Sequence, residues 1–153
     1  MSCCNSCASG VSGKMYTADS RFGGMERGVG DAPTVSNVAM TAAVTGLIGA
    51  AEGYLVYGTG TAMLVPGLGT VSAPTGFGIH TALASVLGQY ADYYADPTGQ
   101  NPLIPSGFQE PVFTGVAEIA TQYLAGNSGI PMLSSFLIGS TSSYLQPLIY
   151  KPS

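Results

Sequence analysis

The chain has 153 residues, of which only 8% are charged and 46% are apolar, with 22 Gly, 10 Pro and a net charge of -4. Its four basic residues, Lys14, Arg21, Arg27 and Lys151, leave 28–150 without a Lys or Arg, which excludes the clustered cations that a nucleic-acid binder needs to neutralise phosphates. Length allows one domain with a core, but such a domain cannot cover itself with charge as an ordinary soluble one does.

Residues 1–33 read as a polar, Gly-rich tail with too little apolar periodicity to offset the entropy of ordering. They lack the basic region and apolar run of a secretory signal. Cys3, Cys4 and Cys7 crowd its start, and no later cysteine exists to pair with them. That argues for a reducing compartment and against a secreted disulfide scaffold. Three cysteines fall one short of a structural zinc site, so the expectation is no metal; acylation that anchors the tail is the functional alternative to unmodified thiols.

From 34 to 153 the chain reads as a single helical domain with four apolar segments. The first, about Thr34 to Tyr57, starts after Pro33 and stops at Gly58 and Gly60. Ala42, Gly46 and Ala50 recur on it every four residues, with Gly49 and Gly53 beside them, a packing face that lets helix backbones approach closely. Glu52 lies near its end, before two tyrosines suited to a membrane boundary.

The stretch TGTAMLVPGLGTVS reads as an uncharged loop because of its Gly and Pro. A second helix, APTGFGIHTALASVLGQYADYYA, ends before Pro97 and aligns Thr81, Ser85, Gln89, Asp92 and Asp96 opposite Leu83, Leu87, Tyr90 and Tyr94. A Pro-rich connector leads to a third segment from Pro111 to the Gly126 stop, with Thr114, Glu118 and Thr121 in one row. The fourth, MLSSFLIGSTSSYLQPLIY, aligns Ser135, Gly139, Ser142 and Gln146. Intervals of three and four favour helix over the β reading that the Thr, Val and Gly content would allow.

These features predict an all-α fold of about four apolar helices, a small transmembrane bundle. The runs 32–51, 53–91 and 119–150 hold no Asp, Glu, Lys or Arg, and a span needs about 20 mostly apolar residues. Four spans would place all four basic residues on one side, the asymmetry of a multi-pass protein whose tail is cytoplasmic or on the equivalent face. Against this stand the short third segment and Glu118 at its centre, since a mid-bilayer carboxylate costs about 2.5 to 3.5 kcal/mol on insertion scales.

No catalytic constellation is visible, and no cofactor is implied. His80 is the only histidine, no G-x-S-x-G elbow nominates a serine, and SGKM lacks the rest of a phosphate-binding loop. The expected function is therefore non-enzymatic: a structural or assembly subunit of a membrane complex or a virion, in contact with lipid, other subunits and copies of itself. One alternative is a small transporter or channel, with Glu118, Glu52 and His80 along an intramembrane polar path. Another is a charge-poor coat, capsid or filament subunit packed against copies of itself.

Overall fold

The computed structural model describes residues 32–105 and 107–151. The tail up to residue 31, with Cys3, Cys4 and Cys7, lies outside the described residues. In chain order the elements are α1 (Val35–Tyr57), β1 (Ala62–Val65), β2 (Gly69–Ser72), α2 (Ala73–Ala95), α3 (Gln109–Leu124) and α4 (Met132–Leu145), followed by a 3-10 turn at Gln146–Leu148.

Thr34 caps α1 by accepting a hydrogen bond from the Asn37 amide at 3.2 Å, which satisfies one of the donors a helix start leaves over. At the other end Gly58 takes φ 64°, a conformation that costs a residue with a Cβ and costs Gly little. The second segment folds as a helix over Ala73–Ala95, with Pro74 in its first turn. The third begins at Gln109, two residues before Pro111, because the first turn of a helix does not use the missing proline N–H. The fourth stops at Leu145 and tightens into the 3-10 turn containing Pro147.

The expected loop between the first two helices is instead an antiparallel hairpin, with Met63 opposite Val71 and Leu64 opposite Thr70. Met63 and Val65 point inward and Ala62 and Leu64 outward, an alternation hidden in the sequence because all four residues are apolar. Gly67 and Gly69, with φ of 84° and 79°, make the turn. The molecule is thus a mostly helical four-helix bundle with one hairpin, not purely α.

Successive helices pack side by side and α4 returns to α1. The ends of the up-and-down bundle differ. Tyr150 donates to Asn37 Oδ1 at 3.3 Å, and Gln109 Nε2 donates to Asp92 Oδ1 at 2.8 Å; these contacts gather the start of α1, the end of α2, the start of α3 and the chain after α4 at one end. The hairpin and the 125–131 turn close the other, and neither carries an Asp, Glu, Lys or Arg.

Among the described helices, α1 alone combines sufficient length with enough apolar character to be a candidate span, with a mean hydropathy of 1.3. At about 1.5 Å per residue its 23 residues reach about 35 Å, beyond the roughly 30 Å of a bilayer core. The expectation of four apolar spans is therefore met by length and composition at one helix.

The distribution of side chains is inverted relative to an ordinary globular core. A small apolar cluster of Met63, Ala73, Phe77, Ile130 and Ile138 sits under the hairpin, with Tyr57 stacked on Phe77 at 5.5 Å. Elsewhere small apolar residues such as Val38, Ala42, Val44 and Ala84 share the interior with a larger number of buried polar side chains, and all twelve leucines of the chain are exposed.

Candidate functional site

The polar interior is built by the rows that share one face of each helix. On α2, Thr81, Ser85 and Gln89 are buried while Leu83 and Leu87 face outward. Thr114, Glu118 and Gln122 are buried on α3, and Ser135 and Ser142 on α4, with Gln146 in the 3-10 turn that follows it. Where the rows meet, glycine permits contact: a Cβ on Gly46 would lie 2.6 Å from the Gly78 carbonyl oxygen, and one on Gly139 would lie 2.7 Å from Glu118 Cβ. Ala42 is buried beside Gly46, and Ala50 lies against Gly78. The face of α1 singled out from spacing is thus directed at α2.

Near the charged end, Gln89 Nε2 donates to the Val38 carbonyl and to Ser85 Oγ, both at 3.2 Å, and Ser85 donates to Thr45 Oγ1 at 3.4 Å. Thr45 in turn donates to the Thr41 carbonyl of its own helix at 2.7 Å. These bonds join α1 to α2 without a charge.

The hairpin end carries a longer row. Asn127 accepts from the Leu64 amide through Oδ1 at 2.8 Å and donates through Nδ2 to the Leu64 carbonyl at 2.8 Å. Its side chain thereby serves β1 as a third strand would. His80 Nε2 lies 2.8 Å from the same carbonyl; because a carbonyl only accepts, this nitrogen carries the hydrogen. The Asn127 amide nitrogen at 3.5 Å from Nε2 is then one donor facing another, and makes no bond with it. Asn127 also donates to Gln122 Oε1 at 2.9 Å, and Gln122 Nε2 donates to Glu118 Oε2 at 2.9 Å. A continuous row of side chains therefore links the hairpin backbone to the acid at the middle of α3.

Glu118 is fully buried. Beyond the buried Thr81 hydroxyl that lies beside the carboxyl group, its second oxygen, Oε1, has no hydrogen-bond partner, and that hydroxyl has no other. Glu52 is treated differently. It is half-buried on α1, and its two oxygens accept from Thr141 Oγ1 at 2.6 Å and from Ser142 Oγ. Gly139 against one acid and Thr141 and Ser142 on the other mean that a single turn of α4 serves both.

The structure thus brings Glu118 and Glu52 to neighbouring positions on α4, and ties His80 to the hairpin backbone. With Nε2 so committed and Nδ1 without a hydrogen-bond partner, no orienting acid is bonded to His80 among the described residues, as a triad would require. Among the described residues no group of three or more His, Cys, Asp or Glu could hold a metal ion. Sequence reasoning missed Gln122 and Asn127. Gln122 continues the Thr114 and Glu118 row by one turn and was readable from that spacing; Asn127 sits in a turn, and its role exists only because the hairpin folds beside it.

These features define a four-helix bundle capped by a hairpin, with a hydrogen-bonded polar interior and a leucine exterior. No family model, curated protein or solved structure matches the chain.

Proposed function

We propose that the chain is a non-enzymatic structural or assembly subunit, embedded in a membrane through its helical bundle. The observation that carries this reading is the inversion of burial: all twelve leucines are exposed, whereas four of the five glutamines, Gln89, Gln109, Gln122 and Gln146, are buried. In water, burying a leucine side chain contributes about 1.5 to 3 kcal/mol, so twelve left outside forgo more than the roughly 5 to 15 kcal/mol by which a domain is stable. In hydrocarbon the preference reverses. Leucine gains nothing by being inside, while hydroxyls and amides must find partners within the bundle.

The close glycine contacts fit the same solvent, because without a hydrophobic force between helices the backbones are held by packing and interhelical hydrogen bonds. Membrane orientation is read from the basic residues: Lys151 belongs to the end where α1 begins, and Lys14, Arg21 and Arg27 precede that helix in the chain, so that end faces the cytoplasm or its equivalent, with the hairpin opposite. The short α3 and α4 are held within the bundle by α1 and α2. Partners are lipid and other subunits, copies of itself included; a virion membrane and a cellular membrane complex both suit such a subunit.

A coat or filament subunit would also hide an uncharged exterior against its neighbours, but in water its own interior would still gather leucines. Carbonate and detergent extraction of membranes from the native source tests the reading. The protein is expected to stay with membranes in carbonate and to enter detergent within a particle larger than its own 15.5 kDa. A protein that is monodisperse in buffer without detergent refutes it.

A further inference from the structure

We propose that the hairpin end of the bundle does not project into bulk water on the far side of the membrane but docks at the boundary between headgroups and acyl chains of the far leaflet. The partner is lipid, and its acyl chains take the leucines exposed at that end. The placement rests on the membrane reading and adds to it, since a bundle that spans could equally carry a water-borne loop there.

Charge is sorted along the bundle axis. No Asp, Glu, Lys or Arg occurs in 53–91 or 119–150, which hold the hairpin and the 125–131 turn. The nearest acids along the chain are bonded within the bundle, Glu52 by Thr141 and Ser142 and Glu118 by Gln122. What the end presents is apolar: Leu55 of α1, Leu64 and Leu68 of the hairpin, Leu124 of α3, and Met132 and Leu133 of α4 are all exposed. A surface kept in water is about 25 to 35% charged, whereas apolar side chains gathered from several elements mark a lipid or protein contact. The cations select lipid. Lys151 is at the opposite end, and Lys14, Arg21 and Arg27 precede the helix that starts there, the one-sided distribution of a chain sorted by a bilayer.

Helix length points the same way. At about 1.5 Å per residue the 16 residues of α3 and the 14 of α4 reach about 24 and 21 Å, short of the roughly 30 Å of a bilayer core. The hairpin folds over their ends, held by Asn127 of the turn between them, and so fills the shortfall instead of extending beyond α1 and α2. A strand edge that approaches hydrocarbon needs partners within the protein. Leu64 of β1 has them in the side chains of Asn127 and His80 at 2.8 Å, and the Leu68 amide closes the turn on the Val65 carbonyl at 3.0 Å. Tyr54 and Tyr123, exposed near the same end, bring an apolar ring and a hydroxyl to the level where headgroups begin.

The chain has no tryptophan, so a single one reports depth without background. Leu68→Trp places it at the hairpin tip and Leu133→Trp at the start of α4, both on exposed side chains outside the core, while Gln100→Trp marks the opposite end. The full-length variants are reconstituted into phosphatidylcholine vesicles, recovered by flotation, and quenched either by lipid brominated on the upper acyl chain or by iodide supplied to both sides of the membrane. Leu68→Trp and Leu133→Trp should be quenched by the brominated lipid and should lose the iodide quenching that they show in denaturant. Gln100→Trp should show the reverse. Far-end tryptophans that float with the vesicles yet are quenched by iodide as strongly as Gln100→Trp overturn the docking alone and leave membrane embedding in place. Protein that fails to float refutes the embedding, and the docking with it.

Discussion

Replacing Asn127 by alanine should unlatch the hairpin. The substitution removes three hydrogen bonds, two at 2.8 Å to the Leu64 backbone and one at 2.9 Å to Gln122 Oε1, each with a net value of about 0.5 to 1.5 kcal/mol. Two effects modify the sum. Gln122 Oε1 is left buried without its donor, which adds about 1 to 3 kcal/mol. In the other direction, Leu64 is at the exposed rim, so its freed amide finds water and its carbonyl keeps His80. The balance is a loss of about 3 kcal/mol, or roughly a hundredfold in the opening equilibrium at 1.4 kcal/mol per decade. Hydrogen–deuterium exchange reads this directly. Amides of 62–72 should exchange about a hundredfold faster in Asn127→Ala, while the α1–α2 contact around Gly46 keeps its protection. Asn127→Asp should fall between, retaining an acceptor for the Leu64 amide but turning a second oxygen toward the Leu64 carbonyl. Hairpin exchange within threefold of the parent protein would refute the latch.

Two further outcomes follow from the packing and the surface. Gly46→Ala gains about 1 kcal/mol of helix propensity, but its Cβ would sit 2.6 Å from the Gly78 carbonyl and 2.9 Å from Ala82 Cβ, and overpacking against backbone costs about 1 to 3 kcal/mol. The close contact wins, so thermal unfolding in detergent should show Gly46→Ala destabilised and Gly46→Val more so; a stabilised Gly46→Ala would contradict the α1–α2 geometry. Leu83→Lys places a charge on the exterior of α2. In water such a surface change is worth within about 0.5 kcal/mol, but in hydrocarbon about 2.5 to 3.5 kcal/mol, so membrane recovery and assembly should drop sharply, and unchanged recovery would count against lipid embedding.

Much of the local structure was legible residue by residue. Thr34 caps the first helix, and the second helix matches the segment between Ser72 and Asp96, because caps, glycines and prolines act through a few neighbouring dihedrals. The hairpin was not legible. Ala62, Met63, Leu64 and Val65 are all apolar, so their period of two is invisible until Met63 finds Phe77 and Leu64 finds Asn127, sixty-three positions later in the chain.

The sequence by itself determined which residues share a helix face: Thr81 with Ser85 and Gln89, Thr114 with Glu118, Ser135 with Gly139 and Ser142. Spacing on a helix is a local geometric fact. Only the tertiary structure decided that these rows turn inward and the leucines outward, because periodicity is unchanged when a helix is rotated about its axis and the direction is set by what surrounds it. It also separated the two acids. Glu52 has both oxygens bonded from α4, whereas the fully buried Glu118 meets Gln122 one turn on in its own helix and the Thr81 hydroxyl of α2; the contacts from α4 and α2 are not written in either residue's neighbours along the chain.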